Sequence, residues 1–153
     1  MFTLLIALTA ASSALGQALP QNGPIKRQGA NVCLDNTWGD LTDGNQIQVY
    51  ECFDTAPNQQ WTWEPSRKVN NEQFFHLKFG DKCVGFQIPS TGNAAGAHVA
   101  IAPCDSDKWQ LDWRWAGENI CSTGNRCMEV GKGNNDKVTI GSCPTPFVVP
   151  DQA

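Results

Sequence analysis

The chain has 153 residues, enough for one domain, and its 15 acidic and 11 basic residues give a net charge of −4. This acidic balance argues against nucleic acid and anionic membrane surfaces as partners, because both carry negative charge themselves. Seven cysteines in a chain of this length are typical of a secreted domain with a disulfide framework and one cysteine left over.

The N-terminal segment has the features of a secretory signal. The run that ends at Gly16 is apolar, is too short to cross a bilayer, and closes with small residues suited to cleavage. We therefore expect a signal peptide over residues 1–16. Residues 17–27 end in the dibasic pair Lys26-Arg27 and are either a short propeptide or an extension of the first strand. Residues 28–153 would form the folded domain.

A pattern anchored on cysteines then occurs three times, which indicates a threefold internal repeat over approximately residues 28–68, 69–115 and 116–153. Cys121 does not fit this spacing and is interpreted as a small buried hydrophobic residue. The spacing predicts one disulfide in each repeat: Cys33–Cys52, Cys83–Cys104 and Cys127–Cys143.

Short runs of alternating apolar and polar residues predict strands along the chain. The clearest runs, in chain order, are 47–50, 61–63, 98–101, 109–115 and 138–140. Turn-forming residues rich in glycine, asparagine and aspartate separate these runs, and helix signals are scarce. The sequence therefore predicts an all-β domain of about twelve short strands, four in each repeat.

Two tryptophans are predicted to hold the core. Trp61 and Trp113 follow the second cysteine of their repeats at the same distance, so they should occupy equivalent positions. A buried tryptophan removes on the order of 200 Å² from water, which favours packing over ligand contact. Phe147 could fill the corresponding space in the third repeat.

The first repeat carries a resemblance to a known family. Its residues are the triplet Cys33-Leu34-Asp35, the run Gln48-Val49-Tyr50-Glu51-Cys52 and the run Asn58-Gln59-Gln60-Trp61. In this order and at these spacings, residues 28–147 resemble the ricin B-type β-trefoil lectins, which are grouped with the family 13 carbohydrate-binding modules. The resemblance implies a β-trefoil of three pseudo-equivalent repeats, each with four strands, and a role in binding sugars.

The resemblance also implies which residues bind the sugar. Asp35 would accept hydrogen bonds from sugar hydroxyls, Tyr50 would stack against the ring, and Asn58 would bind a hydroxyl. Gln48 and Gln59 would contact the sugar or brace the site. These residue types suit a pyranose, because one of its faces is lined by C–H groups and its rim carries hydroxyls.

Each of these residues also has a purely structural interpretation. Asp35 could cap a turn, Tyr50 could belong to the core, and Gln59 could tie its loop to the backbone. Trp38, in the loop after Asp35, could extend the aromatic surface of the site or simply anchor the loop.

The other two repeats lack this set of residues. Gly85 and Ala102 stand at the acid and aromatic positions of the second repeat, and Glu129 and Gly141 stand there in the third. Without a stacking plane and hydroxyl partners, neither repeat should bind sugar. We therefore expect one competent site, in the first repeat.

The predicted function is that of a secreted, extracellular, non-catalytic protein that binds galactose-type glycans or xylan-type polysaccharides of plant cell walls. No cofactor, metal or membrane insertion is expected. No carboxylate pair, metal cluster or Ser-His-Asp order stands out, which disfavours an enzyme. The alternative is a protein-interaction module such as a protease inhibitor. In that case residues 64–73, which contain Arg67-Lys68, would form an exposed inhibitory loop rather than a solvated hairpin.

Overall fold

The computed structural model describes residues 20–142 and 145–148, so the predicted signal peptide and Cys143 lie outside the described residues. Within the described residues the secondary structure comprises thirteen strands and three 3₁₀ helices of one turn each. The strands are β1 (Lys26–Arg27), β2 (Val32–Asn36), β3 (Ile47–Glu51), β4 (Thr62–Val69), β5 (Glu72–Phe79), β6 (Lys82–Gln87), β7 (Ala100–Pro103), β8 (Trp109–Gln110), β9 (Asp112–Ala116), β10 (Asn119–Cys121), β11 (Cys127–Glu129), β12 (Thr139–Gly141) and β13 (Phe147–Val148). The 3₁₀ helices are Thr37–Gly39, Pro57–Gln59 and Thr123–Asn125.

The same antiparallel register recurs in the hairpins β2–β3, β6–β7 and β11–β12. In each hairpin, the residue after the first cysteine faces an aliphatic residue of the next strand, and both side chains are buried. These cross-strand pairs are Leu34–Val49, Val84–Ile101 and Met128–Ile140. Since the three pairs contribute to one core cluster, the repeats share a single hydrophobic core.

A closed cycle of backbone hydrogen bonds joins the three repeats. The N–H of Ile47 donates to the carbonyl oxygen of Val99 at 2.9 Å, and the N–H of Val99 donates to Val138 at 3.0 Å. The N–H of Val138 completes the cycle by donating to Ile47 at 2.9 Å. All three side chains are fully buried. This approximate threefold arrangement is that of a β-trefoil, which confirms the predicted all-β fold.

The two predicted core tryptophans occupy equivalent positions. The indole Nε1–H of Trp61 donates to the carbonyl oxygen of Leu34 at 3.0 Å, and that of Trp113 donates to Val84 at 2.8 Å. Leu34 and Val84 are themselves equivalent residues, so the two tryptophans make the same bond in successive repeats. Phe147 is also buried in the core cluster.

The dibasic pair Lys26-Arg27 lies within the folded sheet. It forms β1, which pairs with β2 on one side and with β13 on the other. Ile25, directly before the pair, is fully buried, and its carbonyl oxygen accepts a hydrogen bond from the N–H of Leu34 at 2.9 Å.

Residues 64–73 form a hairpin rather than a long loop. Strands β4 and β5 pair as far as Val69 and Glu72, and the turn between them is Asn70-Asn71. Both asparagines have positive φ, as a tight hairpin turn requires. Arg67 is an ion-pair partner of Asp112, with 2.7 Å between Nε and Oδ2.

The third predicted disulfide is wrong. The structure contains Cys33–Cys52 and Cys83–Cys104, but Cys127 is bonded to Cys121 instead of Cys143. The antiparallel pairing of β10 with β11 places Cys121 directly opposite Cys127, with 4.0 Å between their Cα atoms. The residues that face Cys33 and Cys83 in the other repeats are lysines, which cannot form such a bond. Cys121 is therefore a disulfide partner and not a free buried thiol.

This disulfide can be tested by peptide mapping under non-reducing conditions. Trypsin cuts after Arg114, Arg126 and Lys132, so the Cys121–Cys127 bond should join peptides 115–126 and 127–132 into one species that reduction separates. Mass spectrometry would detect it. Recovery of peptide 127–132 joined to peptide 138–153, which contains Cys143, would contradict the assignment.

Candidate functional site

A buried carboxylate forms the centre of the candidate site. Asp35, on β2, is only 1% exposed, and three side-chain amides donate hydrogen bonds to it. Gln48 Nε2 donates to Oδ1 at 3.1 Å, Asn58 Nδ2 donates to Oδ2 at 2.7 Å, and Gln59 Nε2 donates to Oδ2 at 3.2 Å. Four of the five predicted sugar-binding residues therefore share one hydrogen-bond network.

Two structural elements bring these amides to the carboxylate. Gln48 lies directly opposite Asp35 in the β2–β3 register. Asn58 and Gln59 come from the 3₁₀ helix that begins at Pro57, where the fixed φ of proline favours a helical turn. Gln59 also donates to the carbonyl oxygen of Glu51 at 2.8 Å and accepts from the N–H of Phe53 at 3.0 Å. Gln59 thus ties its loop to the backbone and holds Asp35 at the same time.

A lysine from the third repeat completes the network. Lys137 Nζ donates to Gln48 Oε1 at 2.9 Å and to Thr37 Oγ1 at 3.0 Å. Because its ammonium binds the oxygen of the Gln48 amide, the nitrogen of that amide is directed to Asp35. The sequence did not predict Lys137, because a motif confined to one repeat does not show which residues another repeat brings to it. The signal in the sequence was that Lys137 directly precedes Val138, a residue of the segment that contacts the first repeat.

Burial sets the protonation behaviour of Asp35. Desolvation of the charged carboxylate raises its pKa above the ordinary value of an aspartic acid. The hydrogen bonds from Gln48, Gln59 and Asn58 and the positive charge of Lys137 act in the opposite direction and limit this rise. The amides and the lysine therefore help to keep a buried carboxylate ionised.

Exposed aromatic residues lie close in the chain to members of this network. Tyr50 is 38% exposed and lies two residues after Gln48 on β3, so that both side chains are on the same face of the hairpin. Phe53, just after β3, and Trp38, in the loop after β2, are also exposed. Tyr50 is therefore not a core residue, and Trp38, with 93% of its surface exposed, does not anchor its loop by burial.

In the second repeat the space at the acid position is filled. A Cβ atom added to Gly85 would collide with the carbonyl oxygen of Gln110 and would lie 2.7 Å from Leu111 Cδ2. Residues 110–111 therefore occupy the place that the Asp35 side chain takes in the first repeat.

In the third repeat the space at the aromatic position is filled. A Cβ atom added to Gly141 would collide with the carboxylate of Glu129, so the acid lies over the position equivalent to Tyr50. The matching registers Cys33–Tyr50 and Cys127–Gly141 establish this equivalence.

Residues 20–142 and 145–148 contain no cluster of three or more histidine, cysteine, aspartate or glutamate side chains suited to a metal ion. Over the same residues, no helix has the length and apolar character needed to cross a membrane.

Comparisons with known proteins agree with this architecture. Residues 21–146 match the sequence profile of the ricin-type beta-trefoil lectin domain. The chain is 25% identical over 113 residues to beta-galactoside-specific lectin 2 of Viscum album, a match that covers 72% of this chain and 18% of that lectin. It also superimposes on the crystal structure of a designed threefold symmetric protein, ThreeFoil, with a TM-score of 0.62 at 15% identity. That match covers 83% of this chain and 97% of ThreeFoil.

The fold and the profile match thus place the chain in the class of β-trefoil lectin domains. More specifically, the chain belongs to the ricin-type β-trefoil lectin family, and the resemblance seen in its first repeat is confirmed. It spans 18% of the length of the Viscum album lectin, and the likeness to ThreeFoil concerns the fold alone.

The electrostatic role of Lys137 predicts a measurable change in the titration of Asp35. Carbon-13 NMR of the side-chain carboxyl should give a pKa above that of an ordinary aspartic acid, and Lys137→Met should raise it further. Lys132→Met, which removes an exposed lysine of the same repeat, should leave it unchanged.

The raised pKa of Asp35 also makes the stability of the fold depend on pH. Because the pKa of Asp35 is raised by folding, its protonation stabilises the fold below the unfolded pKa, and this contribution is lost as the pH rises through the folded value. An Asp35 pKa at or below the ordinary value, or one unaffected by Lys137→Met, would contradict this account.

Proposed function

We propose that the protein is a secreted, non-catalytic lectin with one competent sugar site, formed by the first repeat. The observation that carries this proposal is the Asp35 carboxylate, to which three amides donate hydrogen bonds. Asp35 lies on the same face of the β2–β3 hairpin as the exposed ring of Tyr50. A carboxylate, amides and an aromatic plane are the groups that suit the rim and the apolar face of a pyranose.

Asp35 is buried beneath the more exposed residues of the proposed site and holds them in place. Asn58 is only half-buried, and its amide nitrogen is bound to Asp35, so its amide oxygen is left on the opposite side to accept from a sugar hydroxyl. Asp35 is only 1% exposed, so its main role would be to fix the amides, of which Asn58 is the most accessible to a sugar. Since the amides are already fixed, binding costs little side-chain entropy.

The filled spaces in the other repeats support a single site. The 110–111 segment at Gly85 leaves no room for an acid, and the Glu129 carboxylate occupies the place of an aromatic ring. A single open site gives weak binding, with a Kd on the order of 0.1 to 1 mM, or about −5.5 to −4 kcal/mol. Several copies on one glycan surface would bind more tightly through avidity.

Two further features bear on location and specificity. Three disulfides within a small domain are typical of oxidising compartments outside the cytosol, which fits the secretory signal predicted over residues 1–16.

The Viscum album relative is named for its specificity for β-galactosides, which makes β-galactosides the first sugars to test and xylan-type chains the second.

The protease-inhibitor alternative gains no support from its candidate segment. An inhibitory loop must be free to enter a protease cleft, whereas Lys68 is paired within the β4–β5 hairpin and Arg67 is bound to Asp112.

The proposal predicts that purified protein binds lactose or xylobiose and that Asp35→Ala weakens binding by about tenfold or more, since hydrogen bonds to a charged group contribute about 1.5–3 kcal/mol. Asn58→Ala, which removes a half-buried side chain, should have an effect of the same sign with less disturbance of the fold. Isothermal titration calorimetry, with circular dichroism to check folding, would measure both.

Asp107→Ala provides the matched control, because it removes an exposed acid from the second repeat. Its affinity should equal that of the unaltered protein. The proposal fails if a glycan array and calorimetry detect no sugar, or if folded Asp35→Ala and Asn58→Ala variants bind as well as the control.

A further inference from the structure

Trp38 combines two unfavourable properties. Its backbone φ is +62°, in the left-handed region that bulky residues rarely adopt, and its side chain is almost completely exposed to water. Glycine would be more favourable here on both counts. A strained conformation of this kind persists only where the surrounding structure enforces it, and such positions concentrate at binding sites.

The surrounding residues do enforce this turn. Asn36, which is fully buried, donates through Nδ2 to the carbonyl oxygen of Asp40 at 2.9 Å. Asn45 Nδ2 donates to Asn36 Oδ1 at 2.9 Å and to the carbonyl oxygen of Thr37 at 2.8 Å. Thr37 Oγ1 donates to the carbonyl oxygen of Gln46 at 2.6 Å. The turn that carries Trp38 is therefore braced on both sides of the indole.

The braced turn lies against the candidate sugar site. A Cβ atom on Gly39, the residue after Trp38, would be 3.8 Å from the Cβ of Asn58. Thr37, the residue before Trp38, accepts a hydrogen bond from the same Lys137 ammonium that holds Gln48. The two residues that flank Trp38 therefore contact Asn58 and Lys137, which belong to the hydrogen-bond network of Asp35.

We infer that Trp38 forms a second sugar subsite, next to the one that contains Asp35 and Tyr50. This inference rests on the proposed function and names its ligand class, a neutral oligosaccharide of two or more units. One ring would occupy the first subsite, and the next ring along the chain would stack on the indole through its C–H face.

The charges around the turn select neutral chains. Asp40 and Asp43 follow Trp38 in this loop and are exposed, with Asp43 paired to Lys82 at 2.7 Å, and the exposed Glu51 and Asp54 are close in the chain to Tyr50 and Phe53. Lys137 is already engaged by Gln48 and Thr37. Glycans that carry uronic or sialic acids would be repelled by these carboxylates, whereas a neutral chain would not.

The test compares a monosaccharide with longer chains of the same sugar, by calorimetry on the full protein. The disaccharide or trisaccharide should bind about tenfold more tightly than the monosaccharide, a gain typical of one additional stacked ring. Trp38→Ala should remove this gain and leave the monosaccharide Kd unchanged. Trp38→Tyr should retain part of it, and Leu41→Ala, which removes another exposed apolar side chain of the loop, should retain all of it.

A second variant separates binding from folding. Trp38→Gly relieves the positive φ, so it should raise Tm while it removes the gain from chain length. A fall in Tm would show that the indole serves the fold and would overturn the inference. A gain that persists in Trp38→Ala, or equal binding of monosaccharide and longer chains by the unaltered protein, would also overturn it. Absence of binding to every sugar would overturn the proposed function itself.

Discussion

The structure depends on the cycle of backbone hydrogen bonds among Ile47, Val99 and Val138, because this cycle is the point where all three repeats meet. Backbone groups buried this deeply need partners, and each repeat supplies the partner for the next. The cycle also has a consequence for the site. Gln48 follows Ile47 and Lys137 precedes Val138, so the contact between the first and third repeats brings the ammonium to the amide that holds Asp35.

The fold itself does not require the Asp35 carboxylate. The second and third repeats have the same strand register with Gly85 and Glu129 at the equivalent positions. Burying a carboxylate is costly unless hydrogen bonds compensate, and here three amides and a neighbouring lysine do so. The second repeat has no acid at this position and the third has Glu129 in a different setting, so we attribute the Asp35 network to the proposed role in binding. The strand register that all three repeats share thus belongs to the fold, whereas the Asp35 network of the first repeat belongs to the candidate site.

Much of this could be predicted from the sequence. The threefold repeat and the equivalent tryptophans follow from spacing, because equivalent positions in a repeat fold make equivalent contacts. The residues that gather around Asp35 are implied by the resemblance of the first repeat to the lectin family. The failures came from contacts that spacing does not encode. The Cys121–Cys127 bond depends on the strand pairing that places Cys121 opposite Cys127, at the position where the other two repeats have Lys26 and Lys78. Lys137 reaches the site from a different repeat, and the strain at Trp38 appears only in the backbone angles.

The central claim is that a sugar binds to the first repeat alone. Two-dimensional NMR tests it most directly, with backbone and side-chain amide signals followed during titration with lactose and, separately, xylobiose. The account predicts saturable shifts that are largest for the side-chain amides of Gln48, Asn58 and Gln59 and for the backbone around Tyr50. Shifts that are largest around Gly85 and Ala102, or around Gly141, would contradict it.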